Sequence, residues 1–201
     1  MSGLKKEGYP KSVSIKAKLE LHPLTSPEIE RFWDEVGDDP ETWQWIGGPG
    51  PIPRTKADLV KTISQTADSP NCEYFSFWDS SSRTVVAISA FLDIRPEDLH
   101  LEIGGTFISR RFRGGNTNYQ MKLMMLTEAF QVRDCVRVTF KVNSINQRSR
   151  DAVLRIGAKF EGEIRNQREQ RDGTWRTAAI YSIIDSEWPE VKRALEQKIV
   201  A

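Results

Sequence analysis

The densest run of residues able to do chemistry is Leu101–Val132, LEIGGTFISRRFRGGNTNYQMKLMMLTEAFQV. Arg110, Arg111 and Arg113 fall within four residues, and Gly114-Gly115 follows at once. Two glycines let a backbone approach a ligand without Cβ clashes. A helix that begins just beyond them aims free N–H groups and its positive dipole end at the same point. Cationic side chains, bare backbone and a helix start together suit an anion, and a pyrophosphate best. The same pattern also serves as a packed connection with solvated arginines. Glu102, in the strand that leads into the turn, offers a carboxylate that can take a proton. It can equally be a solvated strand glutamate.

These residues need elements to hold them. Leu99, Leu101, Ile103, Gly105 and Phe107 alternate with His100, Glu102, Gly104 and Thr106, which predicts a strand with the first set on one face. Gly104-Gly105 would permit a β-bulge. After the turn, Met121, Met124, Met125, Ala129 and Val132 recur at helical spacing, so one helix is expected to run to Val132. Upstream, Ile15–Leu21 alternates as a first strand, and Thr25-Ser26-Pro27-Glu28 starts a helix. Residues 38–53 read as an irregular loop with Trp43 and Trp45, either anchors to the core or a wall of a pocket. Thr55 and Asp58 start a second helix. Glu73–Trp78 and Thr84–Leu92 follow as strands, the second apolar enough to be buried on both faces, and Asp93–Asp98 connects. Val136–Val142 alternates as a strand. Gln147–Ile156 is a short helix closed by Gly157, with Asn146 placed to cap it. Lys159–Glu169 and Thr174–Ile184 form a hairpin through Asp172-Gly173. A last helix starts at Asp185 or Ser186, with Trp188, Val191, Leu195 and Ile199 on its apolar side. The order gives an α+β (mixed α/β) fold with helices on both faces of the sheet. Residues 1–12 read as a flexible tail and 13–201 as one domain.

At 201 residues the chain can bury a substantial core. Its charged fraction of 28% and hydrophobic fraction of 38% suit a soluble globular protein. A formal net charge of +1 gives no global field toward nucleic acid or membrane. Cys72 and Cys135, the only two cysteines, carry neither a disulfide framework nor metal spacing. His22 and His100 lie too far from either to make a metal set. No apolar run approaches the roughly 20 residues a spanning helix needs. A reducing, cytoplasmic location is the simplest expectation.

Arg113, Asn116 and Asn118 carry a family resemblance. The chain resembles the GNAT superfamily of acyl-CoA-dependent N-acyltransferases, over about residues 15–195. The family's diphosphate loop reads Gln/Arg-x-x-Gly-x-Gly/Ala. Arg113 matches its first position, whereas Asn116 and Asn118 stand where glycine, and glycine or alanine, are usual. Arg113-Gly114-x-x-x-Asn118 before a Lys-Leu-rich helix is similar to the ribosomal-protein N-terminal acetyltransferase-like branch. The resemblance implies a GNAT fold: a mostly antiparallel sheet of about seven strands, splayed between 99–108 and 135–142, with acyl-CoA in that cleft.

It implies acetyl-CoA as co-substrate, no metal, and direct acetyl transfer to a primary amine in a ternary complex. The cofactor set becomes Phe107 and Ile108 for the pantetheine arm and thioester carbonyl, Arg111, Arg113, Gly114, Gly115, Asn116, Thr117 and Asn118 for the diphosphate, and Asn146 and Ser149 across the cleft. Glu102 is the first candidate base and also faces the acceptor with Trp43 and Trp45; Glu161 is the second. The tyrosine that protonates the leaving thiolate in many relatives is replaced by Val153, leaving Ser149, water or no acid. A small-molecule amine is the expected acceptor, with a peptide N-terminus as the alternative, and the chain is expected to be a monomer or homodimer. A non-catalytic CoA-binding module and a nucleotide-binding protein of another family remain open at this point.

Overall fold

Seven strands join in one sheet in the order β1-β2-β3-β4-β5-β7-β6. The computed structural model describes residues 19–37, 39–46 and 51–200. The expected tail and the 15–18 start of the first strand lie outside those residues. The strands are β1 (Leu19–Pro23), β2 (Glu73–Asp79), β3 (Thr84–Arg95), β4 (His100–Ile108), β5 (Arg137–Asn143), β6 (Lys159–Glu169) and β7 (Trp175–Ile184). The helices are α1 (Ser26–Val36), α2 (Pro40–Trp43), α3 (Lys56–Ala67), α4 (Thr117–Thr127), α5 (Gln147–Arg155) and α6 (Trp188–Val200). All neighbouring pairs are antiparallel except β4–β5, which is parallel. The mixed α+β fold expected from the sequence is present.

Local signals set the element ends. Thr25 with Glu28, and Thr55 with Asp58, form reciprocal capping boxes at α1 and α3, each satisfying backbone N–H groups that a helix start leaves without partners. Asp172 Oδ1 accepts from the Thr174 amide at 3.0 Å and closes the β6–β7 turn. On one sheet face, α4 and α6 bury Met121, Leu123, Met125 and Leu195 against Leu101, Ile103, Val138 and Tyr181. On the other, α1 and α3 bury Ile29, Phe32, Leu59 and Ile63 against Trp78, Val85 and Ile88. β3 supplies both cores, as its continuous apolar run requires. Among the described residues, β5, β6 and β7 contribute nothing to the second core. That face of β5 carries Arg137, Thr139 and Lys141 instead.

Four local expectations are corrected. β3 runs on to Arg95, and Pro96–Asp98 is a 3-10 turn, so the connection is shorter than 93–98. Leu99 closes that turn in the left-handed region at φ +48 and is 43% exposed, which takes it out of the strand's apolar face. The long helix changes to π geometry over Glu128–Val132, and Val132 leaves the apolar stripe for solvent. The last helix begins at Trp188, because Asp185 and Glu187 close a turn ahead of it.

The Trp-bearing loop also holds a helix. Asp39 caps α2, accepting from the Glu41 amide at 3.1 Å and from Thr42 Oγ1 at 2.8 Å. Residues 38 and 47–50 of that loop lie outside the described ones. Trp43 is 1% exposed, stacks on Trp33 at 5.9 Å, meets Phe107 at 5.5 Å and donates from Nε1 to Gly37 O at 2.8 Å. It is a core anchor, whereas Trp45 stays exposed. Trp43→Ala should therefore cost about 3–5 kcal/mol. Trp45→Ala should stay within about 0.5 kcal/mol of wild type. Urea unfolding of both variants checks this, and equal midpoints would contradict it.

Candidate active site

β4 and β5 pair only over His100–Glu102 and Arg137–Thr139. Beyond those rungs each strand follows its outer neighbour. β4 continues along β3 from Ile103↔Phe91 to Ile108↔Ala87, and β5 along β7 from Phe140↔Tyr181 to Asn143↔Ala178. The sheet opens between them, and the inner edge of β4 presents backbone N–H and C=O groups without a strand partner.

A bulge sits on that edge. Ile88 pairs with Phe107 and Ala90 with Gly104, so Gly105 and Thr106 together face Ser89. Gly105 has φ +56, a conformation that costs glycine nothing. The extra residue reverses which side chains face which core. Leu101 and Ile103 enter the first core, while Phe107 packs beside Trp43 against the second. The expectation of one apolar face from Leu99 to Phe107 therefore fails after Ile103.

The bulge also turns Thr106 toward α4. Lys122 Nζ donates to Thr106 Oγ1 at 2.7 Å and to Ser89 Oγ at 3.4 Å. Ser89 Oγ donates to Gly104 O at 3.1 Å and shares a 2.7 Å hydrogen bond with Thr106 Oγ1. Lys122 is 5% exposed, and among the described residues no carboxylate lies within ion-pair range of it. Burial pushes its pKa down to about 7.

Glu102 stands at the apex of the opening, 8% exposed. Its Oε2 lies 2.8 Å from Lys141 Nζ, and Lys141 also reaches Asp93 at 3.5 Å. A Cβ on Gly104 would come within 3.1 Å of Glu102 Oε1, so the glycine leaves room for the carboxylate. Burial outweighs the Lys141 contact and holds the Glu102 carboxyl above the usual carboxylate range. That direction brings it toward the pKa a general base needs near neutral pH. The Tyr74 ring lies across the bulge, 3.5 Å from where a Gly105 Cβ would sit, with its phenol pushed up by burial. A cavity of about 380 Å³ lies over the paired end of the two strands, lined by Asp93, His100, Arg137, Thr139, Lys141 and Ile180 among others; Lys141 lines it, and Glu102 does not.

The glycine turn lies at the far end of β4. Arg110–Phe112 makes one 3-10 turn, Gly114 takes φ +79, and α4 starts at Thr117. Among the described residues, the amides of Gly114, Gly115, Asn116, Thr117 and Asn118 meet no backbone acceptor. Arg113 does not reach toward them. Its guanidinium turns inward, donating from Nε to Ile108 O at 2.8 Å and from Nη2 to Thr42 Oγ1, with Glu41 at 3.4 Å and Asp39 at 3.7 Å. This corrects Arg113 from a phosphate-facing side chain to a strut between β4 and α2. Arg110 and Arg111 are both exposed, and Arg111 lies 3.5 Å from Glu35. Asn116 donates from Nδ2 to Ile199 O at 3.1 Å and accepts from Gln120 at 2.8 Å, fastening the turn to α6 where the family pattern has glycine.

Across the opening, Asn146 Oδ1 accepts from the Ser149 amide at 3.1 Å and caps α5. Ser149 is half-buried. Glu41 bridges Arg148 of α5 to Arg113, so α2 spans both sides of the mouth. Val153 is buried in the first core, so no phenol occupies that position. Glu161 is held by Ser182 and by Arg137 at 3.3 Å on the outermost strand, away from the apex. Tyr74, Lys122 and Lys141 escaped sequence reading. Only Lys122 gave a signal: a lysine inside the apolar run Met121–Leu126. Among the described residues no cluster of three or more His, Cys, Asp or Glu side chains forms a metal site. None of their helices is long and apolar enough to cross a membrane.

A sheet parted beside a bulged strand, with a glycine turn and helix start at its mouth, defines an acyltransferase-type scaffold. Residues 18–159 match the model of the acetyltransferase (GNAT) domain, and the chain belongs to that family. Two solved structures provisionally named acetyltransferases, one of them from T. thermophilus, are each 28% identical over 96% of this chain and 98% of theirs, with TM-scores of 0.85 and 0.83. The ribosomal-protein-S5-alanine acetyltransferase of Vibrio fischeri shares the fold at 14% identity, covering 88% of this chain and 99% of its own, with TM-score 0.66. A search of curated proteins found no match to the chain.

Lys122 has a pH signature. Its folded pKa of about 7 lies below the ordinary lysine value of 10.5. Between those values the unfolded chain holds a proton that the folded one lacks, so this group makes stability rise with pH across the window and adds no slope below it. Lys122→Met should flatten that rise relative to wild type in urea unfolding from pH 7 to 10. Equal slopes in both proteins would contradict the burial of this amine.

Proposed function

We propose that the chain transfers an acetyl group from acetyl-CoA to the primary amine of a small molecule by direct attack in a ternary complex. The opening between β4 and β5, with Glu102 at its apex and the glycine turn at its mouth, carries this reading. The amides of Gly114 to Asn118, aided by the Arg111 side chain, hold the diphosphate. The free edge of β4 at Phe107 and Ile108 holds the pantetheine arm by backbone pairing and gives N–H donors to the thioester carbonyl. Asn146 and Ser149 face the cofactor from α5, Asn146 through the amide nitrogen its cap leaves over. Acetyl-CoA, when bound, supplies a thioester whose thiolate is a workable leaving group.

Glu102 takes the proton of the attacking amine, directly or through water. Lys141 holds the carboxylate in place. Gly105's bulge, braced from behind by Lys122, Thr106 and Ser89, fixes the donor groups of β4 before substrate arrives. Ser149 or water returns a proton to the thiolate. Trp45, exposed after α2, is the aromatic wall of the acceptor side.

Turnover of acetyl-CoA with a panel of primary amines tests the reading, and no amine-dependent release of CoA would refute it. Glu102→Gln keeps shape and removes the basic oxygen. The rate near neutral pH should fall about 10²–10⁴-fold, with the acetyl-CoA KM nearly unchanged. The defect should shrink at high pH, where the acceptor amine is already neutral. A wild-type pH profile would move the base elsewhere.

Gly115→Val probes the mouth. A Cβ there meets nothing within 4 Å, so the fold tolerates it, while the side chain fills the space a phosphate needs. CoA affinity by calorimetry should drop about tenfold or more, about 1.4 kcal/mol, at unchanged melting temperature. Unchanged affinity would place the diphosphate elsewhere.

A further inference from the structure

Arg168 and Arg176 are direct cross-strand partners on β6 and β7. Like charges so placed repel and destabilise a sheet. The pairing is imposed by an irregularity in β6: Ile164 faces Ala178 and Arg168 faces Arg176, with Asn166 between them at φ +50. Among the described residues, no carboxylate lies within 4 Å of either guanidinium. Arg176 donates from Nη2 to Lys141 O at 3.3 Å, yet its Nε is buried with no acceptor. Burial first, and then the Arg168 charge, hold Arg176 below the usual arginine range; Glu102 pulls the other way.

Arg176 is therefore tied to the apex. Lys141 gives its carbonyl to Arg176 and its ammonium to Glu102. Nearby, Arg171 at the hairpin donates to Ile46 O at 3.3 Å, joining the β6–β7 tip to the end of the acceptor segment that carries Trp45. A buried donor without an acceptor is costly, and two facing guanidiniums are costly again. An anion resolves both at once, because arginine forks receive a carboxylate by paired N–H donors.

We infer that Arg168 and Arg176 form a receiving site for the carboxylate of an amino-carboxylate acceptor, whose amine is then presented to Glu102. This rests on the acetyl-transfer reading and names its substrate class. The lysine and arginines of this face, Lys141, Arg137 and Arg95, are already matched by Glu102, Glu161 and Asp93. Arg168 and Arg176 are the surplus.

The test compares matched acceptors: glycine with glycinamide, β-alanine with its amide, and 4-aminobutyrate with its amide. For each pair the ratio of kcat/KM, carboxylate over amide, is measured in wild type, Arg176→Met and Arg168→Met. Taking the ratio across variants cancels the different amine pKa values. The ratio for at least one pair should fall tenfold or more in Arg176→Met, with the acetyl-CoA KM unchanged and a smaller fall in Arg168→Met. An unchanged ratio in every pair overturns the assignment. A raised acetyl-CoA KM at unchanged ratio also overturns it and gives the arginines to the donor side. If wild type acetylates none of these amines, the same carboxylates are titrated against CoA-loaded protein by thermal shift. Stabilisation lost in Arg176→Met supports the site, and its absence overturns it. Acetyl-CoA binding by wild type, measured in parallel, reports separately on the acetyl-transfer reading.

Discussion

β4 shares a hydrogen-bond ladder with β5 for three residues and then parts from it. Each strand is committed to its other neighbour, β4 to β3 and β5 to β7, and those two ladders diverge. The consequence is a strand edge inside the molecule rather than at its margin. Exposed edges are usually blunted or covered. Here the edge ends at a glycine turn whose amides also lack backbone partners among the described residues. Glu102 sits at the last shared rung, where the opening begins.

Holding such an edge rigid has a cost, and Lys122 shows where it falls. An amine placed in an apolar core, with hydroxyls as its partners among the described residues, opposes folding near neutral pH. What it secures is the bulge, through Thr106, Ser89 and the Gly104 carbonyl. Arg113 plays a similar part at the other end. Its guanidinium spans Ile108, Thr42 and the acids at the start of α2, so α2 is tied to the end of β4.

Much of this was legible in the residues. Strand and helix order followed from the period of apolar positions, and Thr25/Glu28 and Thr55/Asp58 marked helix starts through capping chemistry that is local in sequence. Gly104-Gly105 allowed a bulge to be expected, and one is present. Its consequence was not legible: a bulge shifts the face of every later side chain, so Phe107 could not be assigned to a core without the register. Arg113 looked like a phosphate ligand because its sequence neighbours are glycines, yet its acidic partners lie some 70 residues earlier. The Glu102–Lys141 pair, like the Arg168–Arg176 pair, exists only through strand pairing, which spacing along the chain does not reveal. Leu99 was misread because alternation continued through a turn that its positive φ closes.

The central claim is that the free edge of β4 and the glycine turn form one cofactor groove. Hydrogen–deuterium exchange with and without saturating acetyl-CoA tests it most directly. The account predicts that protection rises together at residues 104–108 and 114–118, with little change along β6. Protection confined to other segments, or absent from both of these under saturating cofactor, would contradict it.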